Sequence, residues 1–164
     1  MSESIAFNPE ASKEEKYQDL LPQLKALLEG ETDLIANLAN VSAVLKTVFE
    51  FWWVGFYLIK QEELVLGPFQ GPLACTRIAL GQGVCGKVAS NKSTIIVKDV
   101  STFEGHIACS AASRSEIVVP LFSQENKLAG VLDVDSEHLA HFDHIDQHYL
   151  EKLSAILKKQ DWDA

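Results

Sequence analysis

Residues 116–135 read EIVVPLFSQENKLAGVLDVD, two apolar runs on either side of a polar four-residue step. Glu116–Phe122 and Lys127–Asp135 each have the length of a strand, and Ser123–Gln124–Glu125–Asn126 supplies the turn. The stretch therefore predicts a β-hairpin and, with it, antiparallel pairing. Asp133 and Asp135 are two apart on one strand and share a sheet face, with Val134 on the opposite face, while Glu116 opens the partner strand. Acids at strand ends are often only solvated edges. Three converging acids could instead bind a cation or share a proton, with one of them raised by like charge.

Working outward, Trp53–Ile59 is apolar and aromatic and reads as a strand, Lys60–Glu63 as a polar turn, and Leu64–Leu66 as its hairpin partner. Gly67, Pro68, Gly71 and Pro72 then predict a loop. Arg77–Leu80 and Thr94–Val97 read as short strands, with a short helix over Gly83–Ser90 between them. Ser101–Ser115 has no period and many small and polar residues, and it is longer than most connections inside a domain, which points to a functional loop. Helices occupy both ends. Ser12–Glu15 has the capping-box pattern ahead of Tyr17, Leu20, Leu21, Leu24, Leu27 and Leu28, with Pro22 a candidate interruption and Gly30 the stop. A second helix starts near Thr32, with Leu34, Leu38, Val41, Leu45 and Val48 on one stripe, and Phe142–Lys158 forms the last. The order predicts an α+β fold, a central antiparallel sheet of about six strands flanked by N- and C-terminal helices. It is expected to be one domain over residues 1–164, with residues 1–11 a flexible N-terminus.

The composition supports this. The chain has 164 residues, 47% of them hydrophobic, enough for one domain with a real core. A net charge of −9, with only two arginines (Arg77 and Arg114), excludes a non-specific nucleic-acid binder. Phe49–Ile59, the longest apolar stretch, is broken by Glu50 and falls far short of the roughly 20 residues a spanning helix needs. The first residues lack a basic segment followed by an apolar one, so no secretory signal is expected and a reducing, cytoplasmic location is the default. Three cysteines are not a secreted disulfide framework; in a reducing compartment they stay thiols unless catalytic, metal-bound or redox-active.

Those cysteines are Cys75, Cys85 and Cys109. Their glycine, proline and polar neighbours favour accessible thiols over buried small hydrophobes. Cys85 falls in the first turn of a short helix, where the dipole would favour its thiolate. Such a set suits a catalytic thiol with a resolving partner. Gly81–Gly86 matches G-x-G-x-x-G, with Asp99 downstream, but the neighbouring hairpins leave no room for a doubly wound dinucleotide-binding sheet. Its glycines are read as a tight turn into a helix. His141, His144 and His148 share one helical face and could ligate a metal with Asp143 or Asp146; without a C-x-x-C nearby, a solvated helix start is the preferred reading. Trp53 and Tyr57 share one face of their strand, and Trp52 and Phe56 the other; one face meets a core and the other could line a pocket.

Together, the runs GPFQGPLACTRIALGQGVCGKVAS (67–90), KDVSTFEGHIACSAASRSEIVVPL (98–121) and GVLDVDSEHLAHFDHIDQHYLEKL (130–153) resemble the free methionine-(R)-sulfoxide reductases, which have the GAF-domain fold. The resemblance covers roughly residues 15–158. It implies a GAF-like single domain that reduces free L-methionine (R)-S-oxide. It implies Cys109 as nucleophile, with Cys75 and Cys85 resolving it by disulfide formation, and Trp53 and Tyr57 at the substrate's methyl-bearing end. Glu116, Asp133 and Asp135 match the family's active-site acids, with Glu116 and Asp135 counted among the catalytic residues. The implied cycle runs through a sulfenic acid on Cys109 and an intramolecular disulfide recycled by thioredoxin, with no resident cofactor or metal, no nucleic-acid or membrane partner, and a homodimeric assembly. Two positions depart from the family's usual residues: Ser110 stands where Asp is frequent, and Glu104 where Pro is frequent. The competing expectations are a non-catalytic GAF module that senses a small ligand and a thiol redox sensor. A sensor is usually joined to an output domain, for which this length has no room, and a redox sensor leaves the acids and the Trp53/Tyr57 face unexplained.

Overall fold

The computed structural model describes residues 4–163. Ser12 opens the first helix as predicted: its hydroxyl accepts the Glu15 amide, and the Glu15 carboxylate accepts the Ser12 amide. This helix, α1, spans Lys13–Glu29 without a break. Pro22 does not interrupt it, because Pro22 and Gln18, whose carbonyl loses its intrahelical partner, both lie on the exposed face where water can replace the missing bond. Helix α2 spans Leu34–Phe49, with the Asp33 carboxylate accepting the Ala36 amide at its start.

The chain then enters the sheet through β1 (Trp53–Lys60) and β2 (Glu63–Gln70), followed by β3 (Arg77–Ala79), helix α3 (Gly83–Asn91) and β4 (Ile95–Val97). A 3-10 turn over Val100–Thr102 leads into the long loop before β5 (Ser115–Phe122), β6 (Leu128–Ser136) and helix α4 (His144–Leu157). The six strands lie in the order β3-β2-β1-β6-β5-β4, every neighbouring pair antiparallel. The predicted loop at Gly67 and Pro68 is instead part of β2. Gly55 pairs with Phe69 and Tyr57 with Leu66, so Gly67 and Pro68 together oppose Phe56 in a bulge. A bulge accommodates the proline, which has no N–H for the ladder, and lets the strand run on.

Both sheet faces are covered. Val54, Phe56, Ile117, Val119, Leu132 and Val134 meet Leu20, Leu24, Leu38, Leu45 and Leu153 of α1, α2 and α4. On the opposite face, Trp53, Tyr57, Val118 and Val131 meet Val84, Cys85 and Val88 of α3. This explains why β1 and β5 read as continuous apolar runs rather than alternating ones. At one end, the buried Asp146 joins α4 to α1, accepting from Tyr17 Oη at 2.8 Å and Lys13 Nζ at 2.6 Å. Of the N-terminal stretch expected to be flexible, residues 1–3 lie outside the described residues; Ile5 and Phe7 pack on the α1/α2/α4 core, and the Gln23 amide bonds both backbone groups of Ala6. Among the described residues, no helix is long and apolar enough to cross a membrane.

Candidate active site

Sheet register brings the sequence's separate signals together. Asp135 on β6 lies opposite both Trp53 on β1 and Glu116 on β5, and directly opposed residues of antiparallel strands point to the same face. One step along, Asp133 lies between Gly55 and Val118. One further, Val131 lies opposite Tyr57. Trp53, Tyr57, Glu116, Asp133 and Asp135 therefore all face α3, and all five line one pocket between the sheet, α3 and two loops. Gly55 is required at its position: a Cβ there would overlap the Phe69 side chain and come within 2.7 Å of the Trp53 ring.

The aromatic wall also fixes the loop above it. Trp53 stacks on Phe69 and Tyr57, its Nε1 donates to the Pro72 carbonyl at 3.1 Å, and Tyr57 Oη donates to the Cys75 carbonyl at 2.9 Å. Cys75 is thereby held at the pocket's rim, where it forms a disulfide with Cys109, their Cα atoms 5.3 Å apart. Cys109 comes from the long loop, which is tied down by Val100 N donating to the Arg114 carbonyl at 3.0 Å and by Lys87 Nζ donating to the Glu104 carbonyl at 2.7 Å. With this bond closed, the pocket is a cleft of about 40 Å³.

Cys85 differs from the other two cysteines. The expected accessible thiol is only 3% exposed, packed in the core beneath the acids. The expected dipole-stabilised thiolate is reversed as well. Burial raises the Cys85 thiol well above its ordinary range, and Asp133, Glu116 and Asp135 raise it further, overwhelming the N-terminus of a nine-residue helix. Gly81 and Gly83, just before, take φ of +83° and +60°, so the G-x-G-x-x-G run is the predicted tight turn into α3.

The acids are buried without a cationic partner: among the described residues, no lysine or arginine lines the pocket. Burial, reinforced by Asp133 and Asp135, raises Glu116 well above the carboxylate range. Burial and then Asp133 raise Asp135, which Ser113 Oγ partly relieves by donating to Oδ1 at 2.6 Å. Burial pushes Asp133 up to about 6, held back by the neighbouring Glu116 carboxyl and Cys85 thiol. Burial and mutual repulsion thus favour the protonated forms of Glu116 and Asp135 over their ordinary balance.

Trp52 does not share the Phe56 face as expected. It precedes the first residue of β1, so strand alternation does not govern it; it packs on the pocket-side core, and its Nε1 donates to Ser110 Oγ at 3.3 Å. His106 and Ser113 are pocket residues to which sequence patterns assigned no role. His106, three positions before Cys109, sits with Nε2 3.8 Å from Glu116 Oε2, and burial keeps its imidazole neutral. A histidine so close to a loop cysteine was an available signal; Ser113, one small polar residue among many, had none. His144 and His148 are exposed on α4, and His141 stacks on His138 instead. Among the described residues, the donor atoms that do converge are those of Cys85, Glu116 and Asp133, within 4.8 Å of one another.

Comparison with known proteins agrees with this architecture. Residues 30–157 match the GAF domain family. The GAF domain-containing protein A of Dictyostelium discoideum is 56% identical over 158 residues, covering 96% of this chain and 99% of that one. The free methionine-R-sulfoxide reductase of Escherichia coli is 47% identical over 149 residues, covering 90% of each. The X-ray structure of free methionine-R-sulfoxide reductase from Neisseria meningitidis in complex with its substrate superposes with a TM-score of 0.92 at 53% identity, covering 94% of this chain and 93% of that one. With the same fold, and with Cys85, Cys109 and the three acids lining one pocket, the chain belongs to the GAF-domain family and, within it, to the free methionine-R-sulfoxide reductases.

Proposed function

We propose that the protein reduces free L-methionine (R)-S-oxide to methionine, with Cys109 as the nucleophile. The observation that carries this reading is the Cys75–Cys109 bond closing a pocket walled by Trp53 and Tyr57 and floored by three buried acids. In the reduced enzyme the Cys109 thiolate attacks the sulfoxide sulfur. A carboxylic acid protonates the departing oxygen, and Glu116 and Asp135 suit that role because burial and like charge keep them protonated. In the adduct the protonated oxygen migrates from the substrate sulfur to the Cys109 sulfur as the bond between the two sulfurs breaks, so Cys109 is left as a sulfenic acid and methionine leaves with the sulfur's electron pair restored. The Cys75 thiol then displaces water from the sulfenic acid and forms the disulfide, which an external dithiol of the thioredoxin type reduces by exchange in a reducing, cytoplasmic setting.

The remaining groups serve recognition. Asp133, the acid closest to its ordinary range, is the natural carboxylate for the substrate's ammonium. Trp53 and Tyr57 pack on the S-methyl end. A methionine within a peptide has no free ammonium to offer the acids, so the pocket selects the free amino acid. The Cys75–Cys109 disulfide must be reduced before each turnover, because only a free Cys109 thiolate can attack the sulfoxide. Cys85, buried and strongly protonated, is the less suitable first resolving thiol. Replacing Cys109 with Ser is expected to abolish dithiol-dependent methionine formation; full turnover by that variant would refute the assignment.

A further inference from the structure

The mechanism leaves Cys85 without a role in the attack, and without substrate one polar atom of the pocket has no partner. Oδ1 of Asp133 is buried with no hydrogen-bond donor, in a residue only 7% exposed that faces the pocket. A buried carboxylate oxygen without a donor is costly and marks a place prepared for a cation. The neighbouring donor atoms are the Cys85 sulfur and a Glu116 oxygen, all three within 4.8 Å of one another. An ammonium would be satisfied by carboxylates alone; a sulfur at the third vertex suits a metal of borderline softness better than magnesium or calcium, which take oxygen ligands.

We propose that Cys85, Glu116 and Asp133 form a binding site for one divalent cation of the zinc class. Binding converts the Cys85 thiol to a metal-bound thiolate and the Glu116 carboxylic acid to a metal-bound carboxylate, and both protons are released to solvent. Two carboxylates and one thiolate carry three negative charges, which the cation largely offsets in a pocket that no lysine or arginine lines among the described residues. Metal–sulfur and metal–oxygen bonds of about 2.3 and 2.0–2.2 Å place tetrahedral neighbours about 3.5 Å apart, so the three donors draw in by roughly 1 Å. The flexible Glu116 side chain supplies most of that movement. His106, with Nε2 3.8 Å from Glu116 and its imidazole neutral, offers a fourth donor. Glu116 and Asp133 cannot hold metal and substrate ammonium together, so the metal-bound form is inhibited; this consequence rests on the reductase reading, whereas binding itself does not.

The test uses the oxidised protein, in which the Cys75–Cys109 disulfide leaves Cys85 as the only thiol. Cobalt(II) is titrated in under anaerobic conditions. The expected result is a thiolate-to-cobalt charge-transfer band that saturates at one metal per chain and disappears on addition of Zn²⁺. The band should be absent in Cys85→Ser, and cobalt affinity at least about tenfold weaker in Asp133→Asn, equivalent to about 1.4 kcal/mol. Circular dichroism matched to the wild type establishes that each variant is folded. No charge-transfer band in the wild type, or a band that survives in Cys85→Ser, overturns the proposal. Asp133→Asn binding cobalt as tightly as the wild type also overturns it, by removing Asp133 from the site.

Discussion

The Asp133→Asn substitution should make the protein more stable, and by an amount that depends on pH. Burial moves the Asp133 carboxyl from 3.8 to about 6, close to two units. At roughly 1.4 kcal/mol per unit, ionising this group in the folded protein costs about 3 kcal/mol more than in the unfolded chain. The sign follows from proton binding. Between pH 3.8 and 6 the folded protein holds a proton that the unfolded chain has released, so rising pH erodes stability across this window and the loss is complete above it. Asparagine has the same shape and nothing to ionise. Below about pH 4 the oxidised wild type and Asp133→Asn should therefore be equally stable, and the gap should open through pH 6 to about 3 kcal/mol in favour of the variant. For a chain of this size that is about 6–12 °C in melting temperature. Urea unfolding followed by tryptophan fluorescence under non-reducing conditions, from pH 4 to pH 8, measures the gap directly. A variant no more stable than the wild type at pH 8, or one with a pH-independent advantage, would mean that this acid is not held in place against its own desolvation.

Two other substitutions probe the loop over the pocket. Ser113→Ala removes the bond that Ser113 Oγ donates to Asp135, so Asp135 keeps its proton to higher pH and the alkaline limb of the kcat/KM profile should move upward; an unmoved limb contradicts Asp135 as proton donor. Trp52→Phe removes the Nε1–Ser110 hydrogen bond beside Cys109 and should cost only about 1 kcal/mol of global stability while amide exchange over residues 107–112 accelerates. Unchanged exchange there would mean that Trp52 does not anchor the loop.

Much of the fold was legible because its signals are local. The apolar runs of residues 116–135, their short turn and the capping box at Ser12 each follow from neighbours in the chain, and each reappears in the structure. The acid cluster was half legible: period-two spacing put Asp133 and Asp135 on one face, while the placing of Glu116 and Trp53 opposite Asp135 needed the β1-β6-β5 register, which no local pattern contains. The misreadings share one cause, tertiary context overriding a local rule. Gly67 and Pro68 carry loop chemistry, yet a neighbouring strand absorbs them as a bulge. Cys85 begins a helix, yet burial and three acids outweigh the dipole. Pro22 sits inside a helix, yet on its exposed face. Ser113 and His106 reach the site from a loop without periodicity, where only three-dimensional closure identifies which of many polar residues matter.

The central claim is that this pocket reduces the R epimer of free methionine sulfoxide at Cys109. Its most direct test incubates the reduced protein with dithiothreitol and each sulfoxide epimer in turn, free and peptide-bound, and quantifies methionine. Turnover of the free R epimer is expected, with the free S epimer and both peptide-bound forms left intact. No methionine from the free R epimer, or equal turnover of the peptide-bound form, would contradict it.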